Sequence, residues 1–168
     1  MNTENTQKVA QQKVLNQLRN PWYFRFFLLM KMPIALISGL RIRHIDNHSC
    51  TCSIPYKWFS QNPFKSLYFA SQSMAAEMST GALAMMKIQG YHPGISMLVL
   101  KMEGQFHKKG TQRIYFTCNA GDAIEQAIQQ AVDTGEGVSV DVLTEGKTAD
   151  DILVSTFKFT WTFKVRSK

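Results

Sequence analysis

The sequence predicts an α+β domain in which a curved antiparallel sheet wraps around one long central helix, preceded by a helical arm. Three observations carry that prediction. Ser66 to Met86 reads SLYFASQSMAAEMSTGALAMM, a helix-length stretch whose one charged residue is Glu77. From Gly39 onward the apolar residues recur with a period of two. The last such run alternates Phe157, Phe159, Trp161, Phe163 and Val165 with Lys158, Thr160, Thr162 and Lys164. A helix apolar nearly all round must be covered on most sides, and a sheet that curls around it does so.

The elements follow in order. Val9, Val14, Leu15 and Leu18 recur at helical spacing among Gln and Lys, which predicts a helix over Thr3 to Arg19. Asn20-Pro21 breaks it and starts a second, strongly apolar helix over Trp22 to Met32, with Pro33 marking its end. Residues 1–38 therefore read as a helical arm and 39–168 as the main unit, a single domain overall. Leu40 to Asp46 and His48 to Tyr56 read as a hairpin turning at Asp46-Asn47. Cys50, Cys52, Ile54 and Tyr56 share one face of it, which places both cysteines inward. Lys57 to Lys65 is a loop with Asn62-Pro63, and the long helix is expected from Ser66 to Ile88. Ser96 to His107 is apolar on both faces at Met97 to Leu100, which predicts a central strand. Lys108-Lys109-Gly110 reads as a hairpin turn from which Thr111 to Asn119 pairs back. A short helix over Gly121 to Thr134, a strand over Gly137 to Leu143 and a turn beginning at Glu145-Gly146-Lys147 lead to the final strand.

Composition narrows the function classes. The chain has 168 residues, 45% hydrophobic and 18% charged, which describes a globular protein with a real core. A net charge of +7 suits an anionic ligand. Lys and Arg are spread along the chain without a polybasic run or an aromatic and basic module, so nucleic acid is not expected. The three cysteines, Cys50, Cys52 and Cys118, form no Cys-x-x-Cys pair, and His44, His48, His92 and His107 are scattered, so no metal site is expected. Reduced thiols and a polar N-terminus point to a cytoplasmic protein. Trp22 to Leu40 is interrupted by Arg25, Lys31 and Pro33, and Ser66 to Met86 by Glu77, so neither reads as a membrane span. Membrane contact is expected to be absent, or peripheral through Trp22, Phe26 and Phe27.

With KWFSQNPFKSLYFASQSMAAEMSTGALAM at its centre, the layout resembles the hotdog fold, and within it the DUF4442 branch of thioesterase-like proteins. The resemblance covers roughly Asn20 to Arg166. It rests on Asn62 in the loop, on Ser66, Tyr68, Phe69 and Ala70 leading into the helix, and on Glu77 midway along it. It implies a homodimer with sheets joined edge to edge, sometimes paired into tetramers, and a site between subunits. It implies an acyl thioester such as acyl-CoA as substrate and no further cofactor. An acidic residue of the central helix, here Glu77, would act as general base or nucleophile. Backbone amides at the helix start, at Tyr68 or Phe69, would form an oxyanion hole. Where many members of the fold carry His-Gly-Gly, this chain has Leu67-Tyr68-Phe69, and the close approach glycine permits is lost.

The residues themselves leave alternatives. A carboxylate in so apolar a stretch is either working or paired, with Arg113 a possible partner. Burial should raise the pKa of Glu77, while donors such as Ser73 and Thr80, one turn away, should lower it. Gln72 and Ser73 could orient water or a carbonyl, or form a polar seam. Asn62 could contact substrate or hold the loop. Lys101, Lys108, Lys109 and Arg113 could receive a coenzyme A phosphate, or form a solvated face. The Met residues at 74, 78, 85 and 86 either fill the core or line an acyl tunnel. Three functions stay open: thioester hydrolysis, acyl or lipid binding without catalysis, and a scaffold that docks through the arm. Hydratase chemistry is disfavoured for want of an Asp/His pair.

Overall fold

The computed structural model describes residues 3–167. Helices α1 (Thr3–Arg19), α2 (Pro21–Lys31) and α3 (Pro33–Ser38) lead into strands β1 (Arg41–Ile45) and β2 (Cys50–Ile54). Helix α4 (Phe69–Lys87) is followed by β3 (Ile95–Phe106), β4 (Ile114–Cys118), helix α5 (Gly121–Thr134), β5 (Val138–Lys147) and β6 (Leu153–Val165). The strands form one antiparallel sheet in the order β1-β2-β4-β5-β6-β3.

Local chemistry explains the boundaries. The Asn20 side chain accepts from the amides of Trp22 and Tyr23, at 2.9 and 3.2 Å, and Pro21 takes the first turn of α2. Pro33 ends α2 as expected, but it also opens α3, a helix the sequence pattern did not announce. In the β1–β2 turn the Asp46 carboxylate accepts from the amides of His48 and Ser49, at 2.8 and 2.7 Å.

Helix α4 lies against the inner face of the sheet, and the contact is zipped by polar pairs. The Gln72 carbonyl accepts from Ser155 Oγ at 2.8 Å, Ser79 and Thr144 share a hydroxyl bond of 2.8 Å, and Trp161 Nε1 donates to Thr80 Oγ1 at 3.0 Å. All six residues are buried, which is why a helix so poor in charge can carry polar side chains inward. Phe157, Phe159, Trp161 and Phe163 of β6 are buried beside them, as their alternation requires. Cys50, Cys52 and Cys118 are buried free thiols.

Three expectations fail on strand order. β3 is an edge strand, not a central one: it pairs with β6 alone. Its apolar run is not buried on both faces, since Leu98 and Leu100 are exposed, Leu100 being the residue skipped where the register shifts between Val99 and Lys101. The 108–110 segment is not a hairpin turn, because β4 pairs with β2 and β5. Glu145-Gly146-Lys147 is not a turn but the end of β5, running beside both β4 and β6. A Cβ on Gly146 would stand 2.4 Å from the Phe116 ring, so glycine serves here for close packing, not for a bend.

Candidate functional site

Helix α4 starts at Phe69, three residues later than its composition suggests, because the preceding residues are tied elsewhere. The Asn62 Oδ1 accepts from the Phe64 and Ser66 amides and from the Ser66 hydroxyl, at 3.0, 3.2 and 3.2 Å. The Leu67 amide donates to Gly110 O at 2.7 Å, and the Tyr68 amide to Ser60 O at 2.8 Å. No side chain caps α4 at Tyr68. The first amides of the helix therefore point outward with the positive end of the helix dipole behind them.

A cavity of about 560 Å³ opens at this end of the helix. Asn62, Ser66, Tyr68, Phe69 and Gln72 line it, and so do Lys108 and Lys109 from the far side. The structure thus gathers most of the residues that the sequence singled out. Phe64, Leu67, Phe106, His107 and Gly110 complete the wall, with no acidic residue among the lining. Sequence reasoning passed over His107 and Gly110. The signal lay beside the lysines, in His107-Lys108-Lys109-Gly110. His107 is held by a 3.1 Å bond between Nε2 and Thr156 Oγ1. Gly110 lets its segment press against Leu67, whose side chain would meet a Cβ there at 3.3 Å.

Several expected members stand elsewhere or act differently. Glu77 does not line the cavity; at 1.5 Å per residue it lies about 12 Å along the helix from Phe69. It is half-buried, and desolvation raises its pKa. The expected donors do not serve it: Ser73 Oγ bonds to Phe69 O at 2.9 Å, and Thr80 Oγ1 to Glu77 O at 2.9 Å. Helical hydroxyls find the carbonyl one turn back before any side chain. Ser73 is likewise outside the cavity lining. Arg113 pairs neither with Glu77 nor with the lysines; its guanidinium approaches Ser53 Oγ at 3.5 Å. Lys101 forms an ion pair with Glu103 on β3. The Tyr68 amide is spent on Ser60 O, so it is not available to a ligand. Gln72 is anchored at both ends, by Leu67 O at 3.2 Å and Ser155, so it is a buried strut at the cavity edge.

A second cavity of about 560 Å³ lies among Tyr115, Thr117, Leu143, Glu145, Lys147 and Asp151. Its cation is already paired: Lys147 Nζ is 3.2 Å from Glu145 and 3.3 Å from Asp151. The cavity at the start of α4, with two lysines and no carboxylate, is the better receptor for an anionic ligand. Among the described residues no helix is long and apolar enough to cross a membrane.

Solved structures share this architecture. A Pseudomonas aeruginosa protein of unknown function, described as a probable thioesterase, superposes with a TM-score of 0.74 at 16% identity, covering 88% of this chain and 97% of that one. A protein of unknown function from Chlorobaculum tepidum gives 0.71 at 16% identity, covering 96% and 98%. A thioesterase from Haemophilus influenzae gives 0.60 at 8% identity, covering 88% and 93%. The fold is the hotdog fold, a curved antiparallel sheet around a central helix. No curated protein matches the sequence. The model of one family, a domain of unknown function named DUF4442, matches residues 20–163, and the chain belongs to that family.

Proposed function

We propose that the protein hydrolyses an acyl thioester, with acyl-CoA as the leading substrate class. One observation carries the reading: an uncapped helix start, a cavity of about 560 Å³ and two lysines that form no ion pair among the described residues meet at one place. The thioester carbonyl would lie at the Phe69 amide, and Lys108 and Lys109 would hold a phosphate of the thiol carrier. Water adds to the carbonyl, its proton passes to a base, and the thiolate leaves. Glu77 is the base, or the nucleophile, of this reading. Its side of α4 is incompletely covered in one chain, so its use requires a second copy, as in a homodimer joined along β3 or a tetramer of such pairs. The thioesterase names carried by two of the similar structures support the same chemistry. No cofactor beyond the thioester is required, and the buried free thiols fit a cytoplasmic setting.

The test is hydrolysis across an acyl-CoA panel beside Glu77→Gln. Turnover in the parent that vanishes in the folded variant is the expected result. Equal turnover in the variant removes Glu77 from the mechanism. Lys108→Ala with Lys109→Ala should raise KM for acyl-CoA more than for an acyl pantetheine. A second reading, an acyl or lipid binder without catalysis, draws on the distance of Glu77 from the cavity and on Leu67-Tyr68-Phe69 at the helix start. A fatty acyl ligand retained by the purified protein, with no turnover on any thioester, would favour it.

A further inference from the structure

Charge is divided unevenly along this chain. Residues 5–76 hold nine Lys and Arg against one acidic residue, Asp46, whereas residues 77–168 hold ten of each. Four of those nine, Arg19, Arg25, Arg41 and Arg43, line a cavity of about 130 Å³ where α1 and α2 meet β1. Among the described residues no carboxylate stands within ion-pair distance of any of the four. Two of them are fixed in place: Arg19 Nε donates to Ile45 O at 2.9 Å, and Arg43 Nε to Ser53 Oγ at 2.8 Å. Burial lowers the pKa of Arg43, and the neighbouring Arg113 and Arg41 lower it further, as expected of a cluster without counter-charge.

The helix beside this cavity is apolar on both sides. Inward, α2 buries Phe24 and Leu28. Outward, Trp22 is 75% exposed, Phe26 62%, Leu29 55% and Met30 63%, and α3 adds Ile34 and Ile37. Positions 22, 26, 29 and 30 fall on one stripe of a helix. At about 200 Å² for a fully exposed large side chain, these six residues present on the order of 700 Å² of apolar surface, more than a soluble monomer usually shows in one patch. Arg25 lies over the Trp22 ring, 5.6 Å from its centre, at the border between the two features.

We propose that this face docks on a membrane with anionic phosphate headgroups, the Trp22, Phe26, Leu29 and Met30 stripe entering the interface and the arginine cavity receiving headgroup phosphates. Guanidinium groups suit phosphate, and an exposed Trp suits the boundary between headgroup and acyl chain. A second copy of the chain fits less well, because a symmetric contact would bring this face against itself, and the arginine cavity beside the stripe has no carboxylate in its lining to meet the four guanidinium groups. The face lies at β1, whereas β3 forms the opposite sheet edge, so the proposal is independent of the thioester reading.

The test is sedimentation of the full chain with vesicles of phosphatidylcholine alone and of phosphatidylcholine with phosphatidylglycerol, with inorganic phosphate and glycerol 3-phosphate as soluble probes. Binding to anionic vesicles only is expected. Tryptophan emission should shift to the blue and be quenched by brominated acyl chains, and Trp22→Phe should remove most of that quenching. Phe26→Ser with Met30→Ser should lower partitioning at least tenfold. Arg25→Ala and Arg41→Ala should lower it about fivefold each and weaken its salt dependence. All five side chains are exposed, and an unchanged thermal melt would show that the variants fold. Equal binding to neutral and anionic vesicles, binding to neither, or capture of the soluble phosphates without vesicle binding would each overturn the proposal. So would a solution dimer that shields Trp22 from iodide and that Phe26→Ser with Met30→Ser dissociates.

Discussion

The ion pair between Lys87 and Glu125 is unequal, and its two halves should differ sharply on mutation. Lys87 closes the last turn of α4 with 5% of its side chain exposed, and its Nζ stands 2.6 Å from Glu125 Oε2 on α5, a side chain that is 56% exposed. Removing Lys87 leaves a carboxylate that water already reaches. Removing Glu125 leaves an ammonium in the interior without a carboxylate. Breaking a buried pair from one side costs about 3–5 kcal/mol. Solvent access at the Glu125 end reduces that, and Glu125→Ala should cost about 2–3 kcal/mol. Lys87→Met keeps the packing of the stem and should cost about 0–1 kcal/mol. In a chain of 168 residues, a gap of about 2 kcal/mol corresponds to roughly 4–8 °C in Tm. Urea and thermal unfolding of both single variants and the double variant measure it, with the double variant expected to sit close to Lys87→Met. If Lys87→Met were as damaging as Glu125→Ala, the pair would be stabilising in its own right and the desolvation argument would fail.

Gly146→Ala should destabilise by about 1–3 kcal/mol, because the new Cβ would stand 2.4 Å from the Phe116 ring, whereas Gly137→Ala, with nothing nearer than 4.0 Å, should not show that penalty; paired urea melts decide. Burial raises the folded pKa of Glu77, so its protonated form favours the fold below the ordinary carboxylate range, and that contribution is lost as pH rises through the folded pKa. Glu77→Gln should therefore match the parent near pH 4 and exceed it in Tm at pH 8; a parent that is the more stable at pH 8 would reveal a cation paired with Glu77. Asp46 behaves oppositely: its carboxyl is held well below the usual range, chiefly by the Ser49 and His48 amides. Its contribution is present above the unfolded value, near pH 4, and is lost as pH falls through the folded pKa. Discounted for exposure, Asp46→Asn should cost about 1 kcal/mol at pH 7 and nothing at the acid end, a difference read from melts across pH.

Periodicity made the hairpin, α4 and β6 legible, since each repeats one face of an element against one core. Strand order was not legible, because pairing is chosen between segments far apart in the chain. The apolar run Met97 to Leu100 looked central for its composition, yet composition alone does not distinguish an edge strand from an interior one. α3 was missed because Pro33 signals a stop and a start with the same residue. At the site, Asn62, Ser66, Tyr68, Phe69 and Gln72 are close in sequence and so were found together. Lys108 and Lys109 were noticed as charge, but His107 and Gly110 are set at the cavity by bonds to Val154, Thr156 and Leu67 that no local pattern predicts. The orientation of Ser73 and Thr80 was misjudged because a backbone carbonyl one turn back competes with any side chain for a helical hydroxyl.

Helix α4 is held at both ends. Ser60 and Gly110 secure the approach to it through the Tyr68 and Leu67 amides, and Gln11 Nε2 donates to Lys87 O at 2.8 Å at the far end. With the bonds to Thr144, Ser155 and Trp161 between, the helix cannot slide or tilt without losing several buried partners at once. The mouth of the cavity is built differently. Phe64 is 75% exposed, Lys65 keeps a left-handed backbone at φ 58°, and segment 62–66 is closed on Asn62, through its side-chain oxygen and the backbone bonds Asn62 N to Ser66 O and Lys65 N to Asn62 O. Under the proposed function, admission of a bulky ligand would be a motion of that segment over a fixed floor, with Asn62 as its latch. Amide hydrogen exchange would show the division directly, fast at residues 64–66 and slow through the middle of α4, and Asn62→Ala would widen the gap.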